Sequence, residues 1–176
     1  MVAGMGRHLR SLRFLEKDKG RIHHLLEEAD NERFHLFIFL NLKKPGIFFR
    51  TYIIMAQTMF FASFMMSYVI SPRYSHRFVG YLEEQAVHTY TEMLRQIDEG
   101  CLEHWKEMEA PADVTKYYSL PKTANYRDVI LAVRADEACH REVNHFFADT
   151  NEFTQIEFEE THIQEDIEYT VLEEFK

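Results

Sequence analysis

Glycine, proline and cysteine are scarce in this chain of 176 residues, which holds six, four and two of them. So few turn-forming residues exclude a turn-rich fold and favour long helices. The two cysteines, Cys101 and Cys139, exclude a disulfide framework and leave reduced thiols in a reducing compartment as the expectation. No dense basic patch occurs, so nothing supports a nucleic-acid partner. There is no internal repeat and no low-complexity stretch. No secretory signal is expected, because the opening MVAGMGRHLRSLRFL already reads as a helix.

What is present is greasy and aromatic. The chain is 46% hydrophobic, with 15 Phe, 9 Tyr and 8 Met. A length of 176 residues suits about one domain with a real core. The net charge of −9 is unevenly placed. Residues 150–176 hold eight Glu and one Asp against one Lys, which leaves about −1 for the 149 residues before them. The acidity therefore belongs to a C-terminal tail, expected to be loosely held over 151–176, and the body is expected over 1–150.

Five helical segments can be read. The first covers 2–18, with Leu9, Leu12 and Leu15 at helical spacing. The second runs from 21 to 44 and stops before Pro45. The third spans 47–70, and Ser71-Pro72 closes it. The fourth covers 74–107, a loop 112–123, and the fifth helix 126–148. The third segment contains TYIIMAQTMFFASFMMSYVI, 20 residues without a charge. Two readings fit it: a core helix, or a helix embedded in a membrane, spanning it or lying in one leaflet, with an exposed apolar stripe expected to contain Phe60, Phe64 and Tyr68.

Two Glu-x-x-His pairs stand out, Glu32/His35 on the second helix and Glu137/His140 on the fifth. A spacing of three puts both side chains of a pair on one helix face. Di-iron helical bundles use two such helices plus single glutamates from two others. By spacing, Glu32 lines up with Leu25, Ala29, Leu36 and Phe39, and Glu137 with Ile130, Val133 and Asn144. Carboxylates facing a core need compensation, from a metal ion or from a buried polar network. On the fourth helix Glu83 aligns with Val79, Ala86, Val87 and Tyr90, whereas Glu84 points elsewhere. Tyr90 reads either as an electron or proton donor to activated oxygen or as a core tyrosine with a satisfied hydroxyl. Asn31, Arg33, Arg134 and Asp136 flank the ligand pairs and are candidates to hold them. The expected fold is all-α: a ferritin-like di-iron four-helix bundle with an additional apolar helix, which the resemblance below makes membrane-associated.

The segments LLEEADNERFHL (25–36), FVGYLEEQAVHTYT (78–91) and RADEACHREVNH (134–145) resemble the signature segments of alternative oxidases. RHLRSLR (7–13) and the loop around 117–122 fit as well. The resemblance implies a homodimeric enzyme on the matrix face of the mitochondrial inner membrane. It would oxidise ubiquinol and reduce dioxygen to water without pumping protons. It implies two iron ions held by Glu32, His35, Glu83, Glu137 and His140, with Tyr90 tied to catalysis. Leu82, Gln85 and Thr89 match positions lining the quinol pocket. The apolar third helix would lie in one leaflet.

Several departures accompany the resemblance. A further Glu ligand, a quinol-binding Arg and a first membrane helix are expected upstream of residue 1. On that basis the 176-residue chain is expected to hold iron weakly and to oxidise little quinol. The alternative reading is an inactive, membrane-associated remnant of the family. Gln85 stands where Glu is usual, Cys139 replaces a common His, and Tyr118 stands where Trp is usual. The acidic tail matches nothing in the family. A ferritin-like iron-binding protein is the third reading, and the long apolar helix argues against it.

Overall fold

A computed structural model describes residues 1–150, and the acidic tail expected over 151–176 lies outside the described residues. The chain is all-α. Its described elements are α1 (Val2–Phe14), α2 (Arg21–Lys43), α3 (Ile47–Ile70), α4 (Pro72–Asp98), α5 (His104–Glu107), α6 (Ala112–Tyr117) and α7 (Tyr126–Asp149).

Local chemistry sets the boundaries. α1 stops at Phe14, four residues before the sequence-based end, because Leu15 takes a left-handed conformation. Lys44 does the same after α2, just ahead of Pro45. Ser71-Pro72 ends α3 and also starts α4. The Ser71 hydroxyl accepts the backbone N–H of Tyr74, and Pro72 occupies the first helical position. The fourth helix was expected to reach residue 107 but ends at Asp98. Gly100 turns left-handed (φ 88°), and the N–H of Cys101 returns to the carbonyl of Gln96. The expected loop over 112–123 contains the short helix α6. At the start of α7 the Asn125 side chain accepts the N–H groups of Arg127 and Asp128, while Asp128 accepts that of Asn125. That reciprocal arrangement is a capping box.

Two compact units divide the chain. One comprises Met1–Val79 with the described part of Asn144–Phe158, and the other contains Gly80–Val143.

In the first unit α1 lies close on α2 and α3. A Cβ at Gly4 would meet Leu26 Cδ2 at 3.3 Å, and one at Gly6 would meet Tyr68 Cδ1 at 3.3 Å, so a side chain at either position would push its neighbour back by a few tenths of an ångström. Ala3, Leu25, Ile38, Phe64, Tyr68, Phe147 and Ala148 are buried there. Arg7 is buried beside them and donates to Asp18 (2.7 Å). Asp18 also accepts the N–H of Ile22, tying α1 to the start of α2. The outward stripe of α1 holds Leu9, Leu12 and Phe14, all exposed.

α3 is the helix among the described residues that is long and apolar enough to cross a membrane, yet only 6% of its most apolar window is buried. That exposure removes the core-helix reading. The exposed face was expected to include Phe60, Phe64 and Tyr68. Phe60 is exposed, but Phe64 and Tyr68 are buried. They stack on one another (6.2 Å between rings), and Tyr68 packs edge-on against His76 (5.4 Å). The outward face instead carries Met55, Met59, Met66, Val69 and Ile70.

In the second unit Ile97, Val129, Ile130 and Val133 have no exposed surface, and Leu94, Val114 and Tyr126 pack with them in the core. Every residue from Val129 to Val133 is buried, so this turn of α7 is enclosed on all sides. At the rim Asp98 pairs with Arg127 (2.9 Å) and Lys106 (3.4 Å).

Candidate metal centre

The second unit gathers Glu83 from α4 with Glu137 and His140 from α7. One potential ligand atom of each lies within 4.8 Å of those of the others. Helical spacing explains why. Glu137 and His140 are three residues apart and share a face, and that face is the buried one. Glu137 is 4% exposed and His140 8%, and the neighbours aligned with Glu137 by spacing, Ile130, Val133 and Asn144, are all buried. On α4 the inward acid is Glu83, and its neighbour Glu84 is not part of the group.

Two carboxylates this close repel one another unless a cation or a shared proton sits between them, and the imidazole beside them adds a third donor atom for a metal. An all-oxygen-and-nitrogen donor set without thiolate suits iron or manganese. The residues present therefore fit the metal that the sequence motif implies.

The surroundings hold α7 in place. Asp136, next to Glu137, accepts a hydrogen bond from the Tyr118 hydroxyl (2.7 Å). Burial and the Asp136 carboxylate together push the Tyr118 phenol far above its ordinary range. Sequence spacing alone did not pair these two residues. Arg134 donates to Thr91 Oγ1 (2.7 Å), a further link from α7 to α4. Glu92 is held down at about 2 by Arg95 and Gln96, which lie on its own exposed face, away from this chemistry.

Tyr90 is half-buried, two turns along α4 from Glu83. Leu82, Gln85 and Thr89 form an exposed stripe on the same helix, and Tyr81 and Phe78 extend it. Thr89 donates its hydroxyl hydrogen to the backbone carbonyl of Gln85 (2.7 Å).

The other Glu-x-x-His pair lies in the first unit, on α2. His35 is buried, and its Nδ1 is 3.8 Å from Glu32 Oε1, too long for a hydrogen bond. Glu32 keeps 44% of its side-chain surface exposed. Leu36, aligned with Glu32 by spacing, is exposed, so the buried stripe of α2 passes through Arg21, Leu25, His35 and Ile38. Asn31 is half-buried. Arg33 is exposed, pairs with Asp30 (2.6 Å) and lies over the Phe37 ring, so its partners are surface groups.

Comparison with known proteins gives this arrangement its family. The sequence profile of the alternative oxidases matches residues 1–149. "Alternative oxidase, mitochondrial" of Trypanosoma brucei brucei is 53% identical over 152 residues, 86% of this chain and 46% of that protein. The protein of the same name from Cryptococcus neoformans var. grubii is 51% identical over 152 residues, 86% of this chain and 38% of its own length. "Ubiquinol oxidase, mitochondrial" of Mangifera indica is 52% identical over 149 residues, 85% of this chain and 46% of the relative. The chain thus spans less than half the length of these curated relatives. A profile match across the body, joined to half-identity over the same residues, shows that the chain belongs to the alternative oxidase family.

Proposed function

We propose that this chain forms the di-iron part of a ubiquinol oxidase that passes electrons from quinol to dioxygen, yielding water without proton pumping. The observation that carries the proposal is the trio Glu83, Glu137 and His140, gathered with their ligand atoms within 4.8 Å.

The second Glu-x-x-His pair, on α2, supports adding Glu32 and His35 as the family motif implies, and α2 runs antiparallel to the end of α7. Asn144 donates to Glu28 (2.7 Å), and Arg21 donates to Thr150 (2.8 Å), so residue numbers rise along α2 as they fall along α7. Glu32, His35, Glu83, Glu137 and His140 would hold two irons, which when bound supply reversible one-electron chemistry for dioxygen reduction.

The remaining roles fall to the protein. The exposed stripe of Leu82, Gln85 and Thr89 receives the quinol ring. The Thr89 hydroxyl hydrogen is already committed to the Gln85 carbonyl, which leaves its oxygen to accept from a quinol O–H. Tyr90, on the Glu83 side of α4, is the group that hands on a proton and electron through its phenolic O–H. Asp136 steadies the Glu137 turn, and Asn31 and Arg33 flank Glu32. Two quinols release four electrons and four protons, which convert one dioxygen to two waters.

Membrane association and dimerisation belong to the same reading. From Arg33 to Leu82 there is no acidic residue, while Arg33, Lys43, Lys44, Arg50, Arg73 and Arg77 are basic. An exposed apolar α3 bracketed by these charges suits a monotopic seat in one leaflet, at the matrix face of the mitochondrial inner membrane. The exposed Leu9 and Leu12 of α1, with Leu36 and Phe37 of α2, suit a homodimer contact.

The test is iron content together with cyanide-insensitive, quinol-dependent oxygen uptake by membranes of a host expressing the protein. However weak the iron binding and quinol oxidation of the 176-residue chain, Glu137→Ala and His140→Ala should each abolish what it has of both. Iron content unchanged by either substitution would sink the proposal.

A further inference from the structure

The first unit holds a line of buried polar side chains that the proposed reaction leaves unassigned. Tyr68 O–H meets His76 Nε2 (3.3 Å), His76 Nδ1 meets Asn144 Oδ1 (3.0 Å), and Asn144 Nδ2 meets Glu28 Oε1 (2.7 Å). Tyr68, His76 and Asn144 are each 5% exposed or less. The line crosses four helices: α3, α4, α7 and α2 in turn.

Its direction follows from donor chemistry. A carboxylate accepts only, so the Asn144 group facing Glu28 is the amide N–H. The Asn144 oxygen then faces His76, and His76 Nδ1 must carry a hydrogen to donate to it. In the neutral ring Nε2 is left bare, and it accepts from the Tyr68 hydroxyl. Every hydrogen in the line points towards Glu28. The His76 ring sits edge-on to Tyr68 (5.4 Å) and Phe147 (5.2 Å), which fixes its plane as well.

Position gives the line its meaning. Glu28 is one helical turn before Glu32 on α2, and Asn144 is one turn beyond His140 on α7. The outer end, Tyr68, lies on the inward face of the exposed apolar helix. An amide in mid-chain cannot relay a proton without forming a charged or imidic intermediate, so the line orders groups and does not conduct.

We infer that Asn144 is a positioning residue for the metal centre. Through the directed line Tyr68–His76–Asn144–Glu28 it fixes the end of α7, one turn beyond His140, against α2 and α3. The inference rests on the di-iron reading, and the experiment separates the two.

The first measurement needs no metal. Nitrogen-15 NMR of the histidine-labelled full chain should show His76 neutral, with the hydrogen on Nδ1. In Asn144→Ala the ring should go over to the Nε2–H form favoured by an unconstrained imidazole. Asn144→Asp keeps an acceptor for His76, so the Nδ1–H form should persist, but it sets a second carboxylate against Glu28. The second measurement is ferrous-ion titration without oxygen. Both variants should bind about 10–100-fold more weakly than the wild type, as for other groups that orient metal ligands. Tyr68→Phe removes only the outer end and should keep both the tautomer and most of the affinity. An Nε2–H ring in the wild type would overturn the direction of the line. Wild-type affinity in both Asn144 variants would overturn the positioning role. A wild-type chain that takes up no ferrous ion would overturn the di-iron reading itself, whatever the ring reports.

Discussion

Substituting Glu137 by Gln should make the metal-free chain more stable while removing its response to metal. Glu137 is 4% exposed and has a ligand atom within 4.8 Å of one on Glu83. Two unit charges at that separation repel by about 3 kcal/mol at an effective dielectric constant of about 20. An imidazolium at His140 offsets part of the repulsion. Removing one charge should therefore stabilise the metal-free chain by about 1–3 kcal/mol, or several degrees in Tm at roughly 2–4 °C per kcal/mol for a chain of this size. Ferrous ion at 100 times its Kd should add about 2.7 kcal/mol to the wild type and little to Glu137→Gln. Thermal unfolding by circular dichroism, in chelator and then in anaerobic ferrous ion, measures both. A variant that melts below the wild type in chelator, yet keeps the full metal-induced shift, would show that these side chains do not form a strained metal site.

Other consequences are open to similarly direct measurement. The Tyr118 pKa is raised in the fold, so the stability it contributes is complete below its unfolded value of about 10 and is lost as pH climbs towards the folded one. Tyr118→Phe should flatten the alkaline limb of a stability–pH curve above about pH 10, and an unchanged limb would refute the assignment. Ile97 has no exposed surface, and Ile97→Ala should cost about 2–5 kcal/mol in urea unfolding. Asn125→Ala opens the capping box of α7 and should cost about 0.5–2 kcal/mol, with a loss smaller than 0.5 kcal/mol counting against that cap. Met59→Glu and Val69→Glu on the outer face of α3 should leave Tm within about 2 °C of the wild type, since surface changes are usually within about 0.5 kcal/mol. Both should release the protein from anionic vesicles in a sedimentation assay. A large drop in Tm would mean that this face is core.

Periodicity alone placed the long helices, because apolar spacing of three and four is a local property of the chain. It also singled out Glu137, His140 and Glu83. On α7 the aligned residues Ile130, Val133 and Asn144 are unambiguously inward, and on α4 the choice between Glu83 and Glu84 follows from a rotation of about 100° per residue. Where local signals were weaker, the tertiary structure decided. The end of α4 depended on whether Gly100 would turn left-handed, and spacing cannot say when a glycine will be used. Phe64 and Tyr68 looked as available to lipid as Phe60. A helix apolar all round carries no mark of its inward side, and only the close approach of α1 at Gly6 and the partner His76 fixed it. Leu36 turned outward because the buried stripe of α2 is set by what packs on it. The hydrogen bonds from Tyr118 to Asp136 and from Asn144 to Glu28 join residues 18 and 116 positions apart, and no pattern within one helix encodes them. The sequence by itself determined which residues share a helix face. Which faces meet was decided by packing, since contact across helices is a property of three-dimensional distance that helical spacing does not contain.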